Sequence, residues 1–110
     1  APFHSSLMSP AAKNMESKIN NTNFKNPSVE LISNVTAEPV QDSEEIKNLL
    51  IKQIYSKVRW RESVLFMINS GVSEFIEIGP GKVLSGLVKR ISDKVLTKSI
   101  NSVDDIKSLK

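Results

Sequence analysis

His4 is the only histidine in the chain, and histidine is the side chain suited to moving protons near neutral pH. It lies in "APFHSS", residues 1–6. A catalytic histidine uses one ring nitrogen to take a proton from a nucleophile, while a second group holds the other nitrogen in place. The serine elbow G-x-S-x-G needs two glycines four apart. The glycines here are Gly71, Gly79, Gly81 and Gly86, and no pair fits. A base at His4 must therefore act on a serine outside this sequence. The plain alternative is a solvent-facing polar residue near a chain end.

A second stretch, "IEIGPGKVL" (76–84), has the shape of a phosphate cradle: strand, glycine turn, then a helix with Lys82 at its start. The detailed match fails. A P-loop needs glycine where Ile76 stands and Ser or Thr where Val83 stands. A dinucleotide fingerprint needs three spaced glycines, which Gly79-Pro80-Gly81 does not supply. The plain reading is a tight strand-to-helix turn. Basic residues gather nearby at Lys82, Lys89, Arg90, Lys94 and Lys98. Lys82, Lys89 and Arg90 fall off the apolar stripe of their helix. They form either a solvated face or a docking site for an acidic partner.

The elements that would position these groups follow from hydrophobic spacing. Met8, Ala11, Ala12, Met15 and Ile19 recur at helical spacing, predicting a helix over roughly 7–20. The Asn-rich 20–27 is turn chemistry. "VELIS" (29–33) reads as a short strand and 34–42 as loop. Asp42 with Glu45 three residues on is a capping-box pattern, opening a helix over about 43–56. Trp60, Val64, Leu65 and Ile68 predict another to about 70, stopped by Gly71. "EFIEI" (74–78) reads as a strand covered on both faces. A helix over about 82–92, a strand at 95–100 and a short terminal helix complete the chain. Three short strands alternating with helices predict an α/β fold with a parallel layer.

Composition narrows the partners. The 110 residues fit one small domain or part of a larger one. Net charge is +3, with aromatics at 5% and not interleaved with a basic stripe, which argues against nucleic acid. There is no cysteine, hence no thiol nucleophile and no disulfide framework. One histidine and no cysteine argue against a zinc or copper site, so no metal is expected. The apolar runs are too short to cross a bilayer and no signal peptide leads the chain, so a cytoplasmic location is expected.

Taken together, "APFHSSLMSPAA", "SNVTAEPV" and "VRWRESVLFMINSGVSEFIEIGPGKVLSGLVKRI" resemble the C-terminal third of the malonyl-CoA:acyl carrier protein transacylase family. The resemblance covers essentially all of residues 1–110, and "EIGPGKVLSGLVKRI" is its most specific stretch. It implies the C-terminal part of an α/β-hydrolase-like acyltransferase subdomain, without the inserted ferredoxin-like subdomain and without the nucleophile elbow. It implies malonyl transfer from coenzyme A to the phosphopantetheine thiol of holo-acyl carrier protein in fatty acid biosynthesis, with no bound cofactor. His4 matches the family's general base. Arg59, just before the tryptophan, matches the residue whose backbone carbonyl orients it. Phe3 resembles the malonyl-selecting version, whose ring leaves little room for an α-branched acyl group. Lys82, Lys89 and Arg90 become candidates for docking the carrier protein. The serine, the oxyanion-hole glutamine and the malonate-binding arginine belong to the family's earlier two thirds, so the isolated chain is expected to be inactive and to need that N-terminal part as a partner. An inactive remnant, or a non-enzymatic module binding carrier protein or a phosphorylated ligand, is the alternative.

Overall fold

Pro10 sits in the first turn of a helix, where its missing N–H is harmless, and helix α1 runs Ser9–Asn20 behind a single 3-10 turn, Ser6–Met8. The computed structural model describes residues 1–109 in two units, Ala1–Ser63 and a second beginning at Val64.

In the first unit α1 is largely polar and fully buries only Ala12. It packs on α2, Ser43–Gln53. The expected cap is present: the Asp42 carboxylate accepts the Glu45 N–H at 3.0 Å. A second donor at the same end, the Ser43 N–H, goes to Asn26 Oδ1 at 2.8 Å. Between the helices lie β1, Leu31–Ile32, and β2, Pro39–Val40, paired antiparallel. The loop expected at 34–42 thus contains a strand that its proline and polar neighbours disguised. The turn closes through Ser33 N–H to the Glu38 carbonyl at 3.1 Å, with Ala37 at a φ of 57°. The core of this unit is Val40, Ile46 and Leu49, with Phe24 and Val35 packed against it.

Helix α3, Trp60–Asn69, carries the chain into the second unit and ends where expected, at Gly71 with a φ of 103°. There β3, Glu74–Ile78, and β4, Leu96–Ile100, pair in parallel from Glu74 opposite Leu96 to Ile78 opposite Ile100. Helix α4, Val83–Ile91, joins them and packs on both, and α5, Val103–Lys107, follows with Ser102 as its cap. The parallel layer therefore holds two strands, not three, because the 29–33 segment pairs with Pro39–Val40. A second expectation is also corrected. β3 is not covered on both faces: Ile76 and Ile78 are exposed, Ile78 at 82%, together with Leu96 on the same face.

Candidate active site

His4 occupies a left-handed backbone conformation, φ 62°, which costs a non-glycine residue about 1–2 kcal/mol. Two carbonyls at the end of α2 hold it there. Its N–H donates to the Ile54 oxygen at 3.1 Å, and its ring Nδ1 lies 2.7 Å from the Gln53 oxygen. Both oxygens belong to a helix terminus, where the last carbonyls lack intrahelical donors. A carbonyl can only accept, so Nδ1 of the neutral ring carries the proton. Nε2 is then the basic nitrogen, on an exposed residue. Across His4, the Ser5 hydroxyl donates to the Pro2 carbonyl at 2.7 Å and tightens the turn. The Phe3 ring is 62% exposed, its centroid 6.5 Å from that of His4.

The carbonyl against the His4 ring is that of Gln53, not the expected one of Arg59. The Arg59 carbonyl is already engaged, accepting the Ser63 N–H at 3.0 Å and the Ser63 hydroxyl at 2.8 Å. The reason is positional. A residue just ahead of a helix gives its carbonyl to the first turn, whereas a residue ending a helix has a carbonyl to spare. That contrast could have pointed to Gln53, but the helix was expected to run on to 56, which hid its true end. The Arg59 side chain ties the turn down: Nη1 donates to the Thr36 carbonyl at 3.1 Å, and Nε and Nη2 to Glu62. The Arg59 guanidinium holds the Glu62 carboxyl below the usual range, chiefly by hydrogen bonding.

In the second unit the glycine turn has a specific occupant. Glu77, on the α4 side of β3, accepts the Leu84 N–H at 3.1 Å and the Ser85 N–H and hydroxyl at 2.8 Å each. The Ser85 hydroxyl also meets Ser99 Oγ at 3.0 Å. The first-turn donors at Leu84 and Ser85, which a phosphate would use, are thus already bound to a carboxylate. The turn is not a free phosphate cradle, and neither Glu77 nor Ser85 was among the residues expected to matter. Of the basic positions, Lys82 and Lys89 line one open cavity of ≈ 270 Å³ with Ser85, Gly86, Thr97 and Ser99. Arg90 is not in its lining. Among the described residues no group of three His, Cys, Asp or Glu is placed to hold a metal, and no helix is long and apolar enough to cross a membrane.

No family model matches the chain. Individual proteins do. The chain is 45% identical over 105 residues to malonyl CoA-acyl carrier protein transacylase of Bacillus subtilis, covering 96% of this chain and 33% of that protein. The Staphylococcus aureus (strain MSSA476) enzyme of the same name is 43% identical over 106 residues, covering 96% and 34%. The acyl-carrier-protein-S-malonyltransferase of Bartonella henselae superposes with a TM-score of 0.92 at 40% identity, covering 99% of this chain and 35% of that structure. An S-malonyltransferase from Vibrio cholerae gives 0.91 at 40%, covering 100% and 36%. Fold and sequence together make the chain an α/β segment similar to part of these malonyltransferases. In particular, the chain is homologous to the C-terminal part of malonyl CoA-acyl carrier protein transacylase. It spans about one third of the length of the curated relatives it matches.

Proposed function

We propose that this chain supplies the general base, His4, to a malonyl transfer site whose nucleophilic serine comes from polypeptide outside these residues. The observation that carries this reading is the 2.7 Å contact between His4 Nδ1 and the Gln53 carbonyl, because it leaves Nε2 as the nitrogen able to accept a proton.

Nε2 takes the serine hydroxyl proton as the oxygen attacks the thioester carbonyl of malonyl-CoA. Collapse of the tetrahedral adduct expels the coenzyme A thiolate, which takes that proton from the imidazolium. In the second half the phosphopantetheine thiol of holo-acyl carrier protein gives its proton to Nε2 and attacks the malonyl ester. The imidazolium returns the proton to the serine oxygen as it leaves. Throughout, the Gln53 carbonyl fixes the ring and its tautomer. A neutral carbonyl steadies the imidazolium less than a carboxylate would. Phe3, beside the ring, narrows the space for α-branched acyl groups. No bound cofactor is needed.

The test is complementation. The chain is mixed with the N-terminal two thirds of the Bacillus subtilis enzyme, and malonyl transfer from malonyl-CoA to holo-acyl carrier protein is followed. The chain alone should be inactive and the mixture active. His4→Ala should reduce the mixture's rate by about 10²–10⁴-fold or more, the usual worth of a general base. Turnover by the chain alone, or full activity with His4→Ala, would overturn the proposal.

A second reading, docking of an acidic carrier protein by Lys82, Lys89 and Arg90, draws support from the two lysines, Lys82 and Lys89, that line one cavity. One relative of known structure, a malonyl-transacylase, is in complex with its type II PKS acyl-carrier protein. Binding of acyl carrier protein that weakens steeply with salt would support docking, and salt-insensitive or absent binding would remove it.

A further inference from the structure

Lys47 is a lysine where lysines are rarely found: it is buried, with 9% of its surface exposed, in the middle of α2. Its Nζ lies 3.4 Å from the carbonyl of Asn20, the last residue of α1, and 3.5 Å from Glu44. It also sits 5.6 Å from the centroid of the Phe24 ring, within cation–π range. A cation suits this place, since the C-terminal end of α1 carries orphan carbonyls and the negative end of the helix dipole.

The two helices run in opposite senses. The start of α1, at Ser9 and Ala12, lies with Ile51 and Tyr55 at the end of α2, while its last residue reaches Lys47. The pair is therefore pinned at both ends: by His4 on Gln53 and Ile54, and by Lys47 on Asn20. Apolar packing sets the axial register only weakly, because α1 fully buries only Ala12 and half-buries Ala11 and Ile19. A slip of one residue moves a helix about 1.5 Å along its axis. A shift of that size lengthens or misaligns a 2.7 Å contact and so weakens it.

We propose that Lys47 is a positioning residue for His4, holding α1 in register on α2 so that Nδ1 stays on the Gln53 carbonyl. Its value to catalysis rests on the general-base reading above, but its test does not. The test is the tautomer of the His4 ring, read from its two 15N shifts in this chain well above the ordinary histidine pKa of about 6.5. In the wild type the ring is held with Nδ1 protonated. Lys47→Met keeps the aliphatic stem and removes the ammonium. It should lose that signature and give a tautomer mixture at unchanged far-ultraviolet helix signal. Lys47→Arg should restore the single tautomer. Should Lys47→Met lower the helix signal, Lys47→Gln is read in the same way, with the same loss expected. A single Nδ1-protonated tautomer in the Met or Gln variant, or its loss in a folded Arg variant, overturns the proposal. The general-base reading fails separately, if His4→Ala leaves the complemented enzyme active.

Discussion

Glu77 Oε1 receives both the main-chain N–H and the hydroxyl of Ser85, each at 2.8 Å, so strand β3 caps helix α4 across the glycine turn. These bonds, the Ser85 amide foremost, hold the Glu77 carboxyl below its ordinary value of 4.5. A depressed carboxyl adds stability that is present above the unfolded pKa and is lost as pH falls through the lower folded value. The second unit should therefore weaken below about pH 4.5. Glu77→Gln should lower the urea midpoint at neutral pH and flatten its fall with acid. An unchanged acid limb would show that the carboxylate is not the group responsible.

Asp42→Ala should cost about 1 kcal/mol, the usual worth of a side-chain cap, because the Glu45 N–H loses its acceptor. The loss falls on α2, which ends at Gln53. Urea unfolding followed by helix signal measures it, and Asp42→Asn should recover most of the stability.

Two glycines should respond in opposite directions. Gly81 stands at φ 82° with open space where a Cβ would go, so Gly81→Ala meets backbone strain alone and should cost about 1–2 kcal/mol. Gly86 lies inside α4, also with open space, so Gly86→Ala should stabilise by about 0.5–1 kcal/mol. Thermal midpoints of the two variants decide the point.

Ile76 and Ile78, 46% and 82% exposed on one face of β3, form an apolar surface that invites self-association. Ile78→Lys should raise the concentration at which light scattering appears, at unchanged helix signal. Scattering that begins at the same concentration would place the sticky surface elsewhere.

Much of the frame was legible from residue spacing. The 74–78 strand matches Glu74–Ile78, the cap at Asp42 is made, and Gly71 ends α3 as its type suggests. These are local signals, written within a few residues. What escaped was long-range or two-sided. Pro39–Val40 becomes a strand only through its pairing with Leu31–Ile32, which a proline-containing loop does not announce. Exposure of Ile76 and Ile78 cannot be read from an apolar run, because the run does not say what lies against it. At the candidate site His4 stands out as a residue type in a recognisable context, and its ring lies on a backbone carbonyl. The resemblance points to the Arg59 carbonyl for its partner, and a helix expected to run on to 56 hides the spare carbonyl at Gln53. The pairing of Lys47 with Asn20 joins residues 27 apart and leaves no mark at either.

The oxygen facing His4 belongs to the peptide unit at Gln53, and so has no codon of its own. Replacing the Gln53 side chain leaves it in place, and a mutational survey of side chains would pass over it. What preserves it is the phase of α2. Deleting one residue from that helix would turn the carbonyl by about 100° and break the contact without touching any residue credited with chemistry. Constraint at this locus should therefore be sought in tolerance to insertions and deletions, not in tolerance to substitution.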